Sequence, residues 1–402
     1  MSRGRPVAAA LPYGLLLVGV LVVAANLRAL ISAVGPVLPV IGEDTGLSPV
    51  QLGALAAVPV GAFAVVSPVV HALAQRFGVD RTLFGSMLVL AAGSVIRSLP
   101  ANAEGPPLFL GTVIIGAAIA VGNVLLPVVV RRDFPGHVPR ITGYYIAVQS
   151  VVAGSASGLV VPLARATDSW RLALAVWGCP ILVALVFLLP RIRSAAHAPT
   201  TGEPGPVPLP AIVSIWRSPL AWQVAGYFGL QSTAFYVLLS WLPTVEQDMG
   251  VSPGAAGFHL SVFLVVGVAS NLAVPRVLTL RGDQRITAVL VPAWTVVAMA
   301  GILQAPSLLP FWVALSGLAL GASMVVALSL ISLRAAGDRT TSRLSSMAQA
   351  SAYGGVALGL VVAGAIREVF GAGQHLLVYV LVLSLCQLAL GARVGRAVQL
   401  PA

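Results

Sequence analysis

Two stretches of the sequence, Leu38-Pro39-Val40-Ile41-Gly42-Glu43-Asp44-Thr45-Gly46-Leu47-Ser48-Pro49 and Leu242-Pro243-Thr244-Val245-Glu246-Gln247-Asp248-Met249-Gly250-Val251-Ser252-Pro253, are near copies of each other. Each begins with Leu-Pro, ends with Gly-X-Ser-Pro and is followed by a glycine, Gly53 or Gly257. All matching pairs are 204 residues apart, and the same offset relates two further pairs, Gly78 with Gly282 and Arg81 with Arg285. This constant offset indicates an internal duplication, so we expect two halves with one architecture.

The composition around these copies is that of a membrane protein. Of the 402 residues, 58% are apolar and only 9% are charged, whereas soluble domains carry about 25% charged residues. The apolar residues form blocks of about twenty, the length that a helix needs to cross the hydrocarbon. Leu308 to Leu333 lacks the recurring polar face that a soluble core helix needs. We therefore predict an all-α membrane protein with twelve transmembrane helices, Leu15 to Ile41, Gln51 to Ala74, Leu83 to Leu99, Leu108 to Val130, Ile141 to Leu163, Leu172 to Leu189, Leu220 to Leu242, Ala255 to Leu280, Ile286 to Leu303, Leu308 to Leu333, Leu344 to Ile366 and Leu376 to Leu390.

The positive charge is distributed by topology. The net charge of +11 comes from 23 arginines, with no lysine, against 12 acids. A nucleic-acid-binding protein would concentrate such charge along one stripe. Here, if the N-terminus is inside, alternate loops place 18 arginines on one side of the predicted membrane and 3 on the other. Cytoplasmic loops are the basic ones, so both termini are predicted to be cytoplasmic and the protein to be a multi-pass protein of the cell membrane.

The boundary between the halves is marked by proline. Ser194 to Pro210 contains five prolines in 17 residues, a composition typical of an extended linker. The predicted division is an N-terminal six-helix bundle of residues 1–193, a cytoplasmic linker of residues 194–217 and a C-terminal six-helix bundle of residues 218–402. Glycines four residues apart in the fifth and eleventh predicted helices, Gly154 with Gly158 and Gly355 with Gly359, are typical of close helix packing.

Three motifs resemble a known family. They are Asn26-Leu27-Arg28; Gly122-Asn123-Val124-Leu125-Leu126-Pro127 leading to Arg132-Asp133-Phe134-Pro135; and Gly229-Leu230-Gln231-Ser232 followed by Phe235-Tyr236-Val237-Leu238-Leu239 and Trp241-Leu242-Pro243. Together they look like the cyanate and 2-nitroimidazole transporter family of the major facilitator superfamily. The resemblance implies two pseudo-symmetric six-helix bundles, alternating access around a midplane site, and secondary active transport of a small anionic or strongly polar organic solute.

The loop after the second predicted helix resembles a degraded form of the superfamily's signature loop. Arg76, Gly78 and Arg81 are kept, whereas His71 and Gln75 replace the usual glycine and aspartate. The resemblance therefore leaves open whether this loop forms the charge network attributed to it.

Arg28 is the leading candidate for contact with substrate. It lies near the middle of an apolar segment, where a cation costs roughly 2.5 to 3.5 kcal/mol on insertion scales, and no acid falls within the twelve segments. A guanidinium without an internal acid suits a ligand carboxylate, cyanate or nitro group, to which it presents a planar fork of donors. The alternative is that Arg28 bonds helix carbonyls. Arg97 is a second candidate, for which snorkelling to the interface is the alternative.

Further polar side chains in the predicted inner helices are candidates for orienting a ligand: Asn26, Asn123, Tyr144, Tyr145, Gln149, Tyr227, Gln231, Tyr236, Gln349 and Tyr353. For each tyrosine the alternative is an interfacial belt position. Asn and Gln are the stronger candidates, because an unpaired amide in lipid is costly. His259, at the start of its helix, is expected to be solvated.

The sequence lacks the residue patterns that an enzyme or a nucleotide-driven transporter would need. An enzyme would need convergent acids, histidines or a metal set, and no G-x-x-x-x-G-K nucleotide loop is present. We expect no enzymatic activity, no cofactor, no metal site and no nucleic-acid partner; the expected partners are a small-molecule substrate and the lipid bilayer, and the expected state is a monomer. Whether protons are the coupling ion stays open. Within transport, the alternative is a multidrug-type exporter of small organic compounds. A channel, as a further alternative, would show flux without saturation.

Overall fold

The computed structural model describes residues 12–99, 106–134, 137–195, 213–279, 283–335, 338–398 and 400, and it is built from α-helices. They are α1 (Tyr13–Ser32), α2 (Leu38–Thr45), α3 (Pro49–Phe77), α4 (Val79–Arg97), α5 (Pro106–Asp133), α6 (Val138–Ala166), α7 (Trp170–Val176), α8 (Cys179–Ala195), α9 (Val213–Trp216), α10 (Pro219–Asp248), α11 (Pro253–Thr279), α12 (Arg285–Gln304), α13 (Leu309–Leu333), α14 (Asp338–Phe370) and α15 (Gln374–Val394).

These elements give the twelve predicted spans within the described residues. Two spans are interrupted: a 3₁₀ turn at Gly35–Val37 separates α1 from α2, where Pro36 has no N–H to continue the helix, and a turn at 177–178 separates α7 from α8. Eleven stretches are long and apolar enough to cross a membrane. The twelfth span, α10, has 30 residues and is the one with Gln231, Ser232 and Thr233 in its middle.

The duplicated stretches fold in the same way. Gly46 and Gly250 both adopt the left-handed conformation, with φ of +70° and +86°, which glycine reaches without a steric penalty. Ser48 then caps α3 in a reciprocal capping box with Gln51, and the Ser252 hydroxyl accepts from the Ala255 N–H at 3.4 Å. Proline follows each serine as the first residue of its helix, a favoured position. The sequence repeat is thus a repeated turn and helix start.

The glycines that follow these turns bring the two halves together. A Cβ on Gly53 would lie 2.6 Å from the Leu360 carbonyl oxygen, and one on Gly257 would lie 2.7 Å from that of Ser157. The Ser261 hydroxyl also donates to the Gly154 carbonyl at 2.5 Å. At this end of the molecule the helices of one half therefore approach those of the other closely. We call it the closed end.

The opposite end carries most of the arginines, and there the halves have separate cores. One buried hydrophobic cluster at the closed end combines residues of both halves, including Leu38 and Leu242. The other two clusters draw their buried members from a single half each, such as Val130 in the N-terminal half and Leu330 in the C-terminal half. The bundle therefore opens between its halves toward the arginine-rich end.

The N-terminal half carries an ion network at the arginine-rich end. Arg132 donates to both carboxylate oxygens of Asp80, at 2.7 and 2.9 Å, and to Asp133 at 2.7 Å. The buried Arg191 contacts Asp80 at 3.4 Å and also pairs with Asp133. A charge network is thus present although Gln75 replaces the signature aspartate. It uses Asp80 instead, in the first turn of α4.

Parts of the predicted domain division lie outside the described residues. Of the predicted linker, 194–195 belong to α8 and 213–216 form α9, while residues 196–212 lie outside the described residues. The boundary residues 193 and 218 thus stay predictions.

Candidate functional site

Arg28 lies where the two halves meet, above the opening. It is half-buried in α1, and its Cζ atom is 5.7 Å from the centroid of the Phe235 ring on α10 of the other half. A guanidinium at this distance from an aromatic face is in cation–π range. Among the described carboxylates none pairs with Arg28, whereas Arg132, Arg171, Arg191, Arg285 and Arg367 each have an acidic partner.

Aromatic side chains surround this cation. Phe235 packs edge-on against Tyr236, with centroids 5.5 Å apart, and stacks on Phe263 at 5.6 Å. Tyr353 of α14 makes edge contacts with Phe63 of α3 at 5.9 Å and with Phe228 of α10 at 6.2 Å. Since Phe63 belongs to the N-terminal half and Phe228 to the C-terminal half, Tyr353 connects the halves beside Arg28.

The predicted residues that meet here are Arg28, Tyr236 and Tyr353. The phenol groups of both tyrosines lie close enough to Arg28 to interact electrostatically with its charge. Phenol hydroxyls can donate hydrogen bonds, and their rings give flat apolar walls. We call Arg28, Phe235, Tyr236 and Tyr353 the Arg28 site. It offers a cation without an acidic partner among the described residues, two hydroxyl groups and aromatic faces, and this combination suits a small, flat anion or a strong dipole.

Arg97 occupies a different setting. Its side chain is 2% exposed, so the predicted alternative of snorkelling to the interface is wrong. Nη1 donates to the Leu30 carbonyl of α1 at 2.7 Å, whereas Nε and Nη2 have no partner among the described residues. The cause of this burial is the close packing of α4 against α5. A Cβ on Gly111 of α5 would lie 2.4 Å from the backbone nitrogen of Arg97, so the two helices pack backbone to backbone and keep the Arg97 side chain buried.

Three further candidates make contacts inside their own half. Asn26 donates to Val22 and, across to α8, to the Pro180 carbonyl at 3.3 Å. Tyr227 is fully buried and donates to the Ala288 carbonyl at 3.1 Å. Gln231 donates to the Leu320 carbonyl at 3.4 Å and accepts from Ser232 at 3.0 Å. These side chains tie helices together and do not meet Arg28 in this conformation.

The remaining candidates are dispersed. Tyr144 accepts from Arg140 at 2.7 Å near the arginine-rich end and is 42% exposed. Gln349 donates to Ser345 at 2.8 Å one turn away. Gln149 is buried in α6, Tyr145 packs beside the N-terminal cluster, and Asn123 is exposed on α5.

The sequence analysis missed the ring that faces the cation and one buried pair. Phe235 precedes a predicted tyrosine, and only the position of α1 against α10 shows that its ring faces Arg28. His259 was expected to be solvated, and this was wrong: its Nδ1 lies 2.7 Å from Glu246 Oε2, with 16% of the histidine side chain and none of the Glu246 side chain exposed. The reason is that α10 extends beyond Leu242 to Asp248 and thereby places Glu246 against α11.

Comparisons with known proteins agree on one fold and one family. A family model described as Major Facilitator Superfamily matches residues 16–360. The chain is 37% identical to the 2-nitroimidazole transporter of Escherichia coli (strain K12) over 381 residues, 95% of each chain. It is 27% identical to the cyanate transport protein CynX of the same organism, over 76% of this chain and 77% of that one. Among solved structures, the nucleoside transporter NupG superposes with a TM-score of 0.77 at 13% identity, covering 94% of this chain and 99% of that chain.

Proposed function

The chain belongs to the major facilitator superfamily, and on that premise we propose that it is a secondary active transporter that binds a small anionic or strongly polar organic solute at the Arg28 site and moves it across the cytoplasmic membrane by alternating access. The observation that carries this proposal is the half-buried guanidinium of Arg28, which has an aromatic partner at 5.7 Å and no acidic partner among the described residues. An intramembrane cation of this kind is a functional site by default.

The solute class follows from the chemistry of the site. A guanidinium binds planar oxyanions and nitro groups through parallel N–H donors. The faces of Phe235 and Tyr236 complement a flat molecule by stacking. Relatives named for 2-nitroimidazole and for cyanate transport supply two solutes with these properties, and we propose cyanate-like or nitroimidazole-like solutes for this chain.

Alternating access follows from the duplication and the observed conformation. The halves touch through Gly53, Gly257 and Ser261 at the closed end, and they have separate cores at the arginine-rich end. If cytoplasmic loops are the basic ones, the opening faces the cytoplasm and both termini lie there. Rocking of the halves about the Arg28 site would then close this end and open the other.

Uptake into proteoliposomes tests the proposal. The purified protein is reconstituted and uptake of labelled cyanate, 2-nitroimidazole and acetate is measured at several concentrations, so that saturation and counterflow distinguish a carrier from a channel. We expect saturable uptake of at least one solute, which Arg28→Gln abolishes. Arg396→Gln, at an exposed arginine after α15, is the matched control. Full uptake by Arg28→Gln would refute the role of Arg28.

The same vesicles separate the importer from a multidrug-type exporter. An exporter would accumulate bulky apolar cations or neutral drugs in inside-out vesicles and would tolerate the loss of the Arg28 charge. Among the described residues the only charge at the Arg28 site is positive, and this argues against a cationic drug as the ligand because like charges repel.

A further inference from the structure

Arg97 lines a small, largely enclosed cavity that the proposed transport mechanism does not use. The cavity has a volume of about 20 Å³ and lies between α1, α3, α4, α5 and α10. Ser240 of α10 adds a hydroxyl group to its wall, whereas the Thr112 hydroxyl of α5 donates to the Leu108 carbonyl at 2.7 Å. The rest of the wall is almost entirely apolar, including Leu30 and Leu55. A volume of this size accommodates one water-sized particle, since a single water needs about 10 to 15 Å³ by the same kind of measure.

Two of the three guanidinium nitrogens of Arg97 have no hydrogen-bond partner among the described residues. One nitrogen, Nη1, donates to the Leu30 carbonyl at 2.7 Å, while Nε and Nη2 are buried without a hydrogen-bond partner among the described residues. Buried polar groups are almost always paired, with protein, with ordered water or with an ion. Two charged donors without a protein partner, on a residue that lines a cavity of this size, suit a bound water molecule or ion.

Charge decides between water and an ion as that occupant. Burying a cation costs several kcal/mol even after relaxation, and the attraction of a counter-charge offsets this cost. Among the described residues no carboxylate pairs with Arg97 or lines the cavity. A water molecule would accept a hydrogen bond from a donor and leave the charge uncompensated. A monoatomic anion would accept the hydrogen bonds and also compensate the charge.

We propose that this cavity is a binding site for a single halide ion, held by Nε and Nη2 of Arg97 with the hydroxyl group of Ser240. Chloride is the physiological member of that class, and a single ion fits a cavity in which a three-atom anion such as cyanate would be crowded. The site is distinct from the Arg28 site, because Arg97 is 2% exposed at the closed end whereas Arg28 is half-buried above the opening.

The position of the cavity gives the ion a consequence for conformation. Ser240 belongs to the C-terminal half, and the other lining residues belong to the N-terminal half. A Cβ on Gly35 would lie 2.5 Å from the Leu239 carbonyl and 3.2 Å from that of Ser240, so the two halves touch beside the cavity. The complete site exists only while this end is closed, and a bound halide therefore stabilises the closed end by mass action.

Thermal unfolding in exchanged anions tests the site. The purified protein is transferred to gluconate, an anion too large for the cavity, and its melting temperature is followed as chloride or bromide replaces gluconate at constant ionic strength. We expect a saturable rise of several degrees in the wild type, and we expect Arg97→Gln to lose it. A wild-type melting temperature that does not respond to chloride would overturn the proposal and would leave water as the occupant.

Two variants guard against a fold defect in Arg97→Gln. Ala56→Val keeps every arginine and fills the cavity that Ala56 lines, so we expect it to lose the chloride response as well. Arg28→Gln keeps the cavity, and we expect it to retain the chloride response while losing solute uptake. A chloride response that disappears with Arg28 and survives Arg97→Gln would assign the halide to the Arg28 site and refute this proposal, whatever the outcome for transport.

Bromide gives the direct readout. In crystals of the wild type grown with bromide, we expect an anomalous scattering peak within hydrogen-bond distance of Arg97 Nη2 and no such peak in Arg97→Gln. A peak beside Phe235 instead would contradict the assignment.

Discussion

Arg28 and Arg97 are two arginines of the N-terminal half inside the predicted membrane, and the fold treats them differently. Arg97 lies at the end of α4, where Gly111 allows α5 to approach its backbone, and its side chain is 2% exposed with one bond to the Leu30 carbonyl. Arg28 lies in the middle of α1, half-buried, against an aromatic ring of the other half. An unpaired charge in a membrane helix points to a ligand, and its exposure decides which ligand can reach it. We propose a solute for Arg28 and a single ion for Arg97.

Neutralising Arg28 is expected to have the largest effect on transport. In Arg28→Gln we expect uptake to fall by about 100-fold or more, because two charge-assisted hydrogen bonds of about 1.5 to 3 kcal/mol each are lost. The melting temperature should stay near that of the wild type, since among the described residues no carboxylate loses an ion-pair partner when Arg28 is replaced. A variant that unfolds early would show that Arg28 is structural.

The packing that holds Arg97 inside can be tested at Gly111. Because a Cβ there would lie 2.4 Å from backbone atoms of Arg97, Gly111→Ala should lower the free energy of unfolding by about 1 to 3 kcal/mol through overpacking. Gly354→Ala is the matched control, because nothing lies within 4 Å of the added Cβ beside Tyr353. Equal stability of the two variants in denaturant titrations would contradict the close approach of α4 and α5.

Phe235 tests the contribution of the aromatic ring beside Arg28 to solute binding. Phe235→Leu removes a ring on which the solute is proposed to stack, and aromatic stacking contributes about 0.5 to 1.5 kcal/mol beyond area burial. We expect solute affinity to fall by roughly 2- to 10-fold, as measured by equilibrium binding. Phe258→Leu, 63% exposed on α11, should bind as the wild type does; an identical affinity in both variants would remove Phe235 from the site.

The smallest expected effect is that of one hydroxyl group. Tyr353→Phe keeps the ring contacts with Phe63 and Phe228 and removes a donor worth about 0.5 to 1.5 kcal/mol. We expect the KM for solute uptake to rise about 2- to 10-fold. Tyr144→Phe, near the arginine-rich end, should leave the KM unchanged. A KM that rises only in Tyr144→Phe would move the site toward the arginine-rich end.

The fold could be predicted from the sequence because its signals are local and repeated. The apolar blocks set the number of spans, and the copies at 38–49 and 242–253 reappear as similar turns with left-handed glycines at Gly46 and Gly250. The ends of spans were less predictable. Glu246 is buried because α10 continues as a helix beyond its apolar stretch, and hydropathy does not indicate where such a helix stops.

The sequence indicates the charged residue of the candidate site, but it does not indicate which side chains lie against that residue. Arg28 was predicted as a candidate because a lone cation in an apolar segment is conspicuous, and Tyr236 and Tyr353 because few polar groups occur in the inner helices. Their roles in binding stay predictions. Asn26, Tyr227 and Gln231 have the same chemistry and bond to carbonyls of neighbouring helices instead. Which way a side chain faces depends on the rotation of its helix in the bundle, and one sequence without clear amphipathic periodicity does not reveal that rotation.

The role of Arg28 is tested most directly by equilibrium binding of labelled solute, cyanate first and then 2-nitroimidazole, to the purified wild type, Arg28→Lys, Arg28→Gln and the control Arg396→Gln. The account predicts saturable binding to the wild type and the control, weaker binding to Arg28→Lys, which keeps the charge and loses the planar fork, and binding at least about 10-fold weaker to Arg28→Gln. A dissociation constant for Arg28→Gln equal to that of the wild type would contradict it.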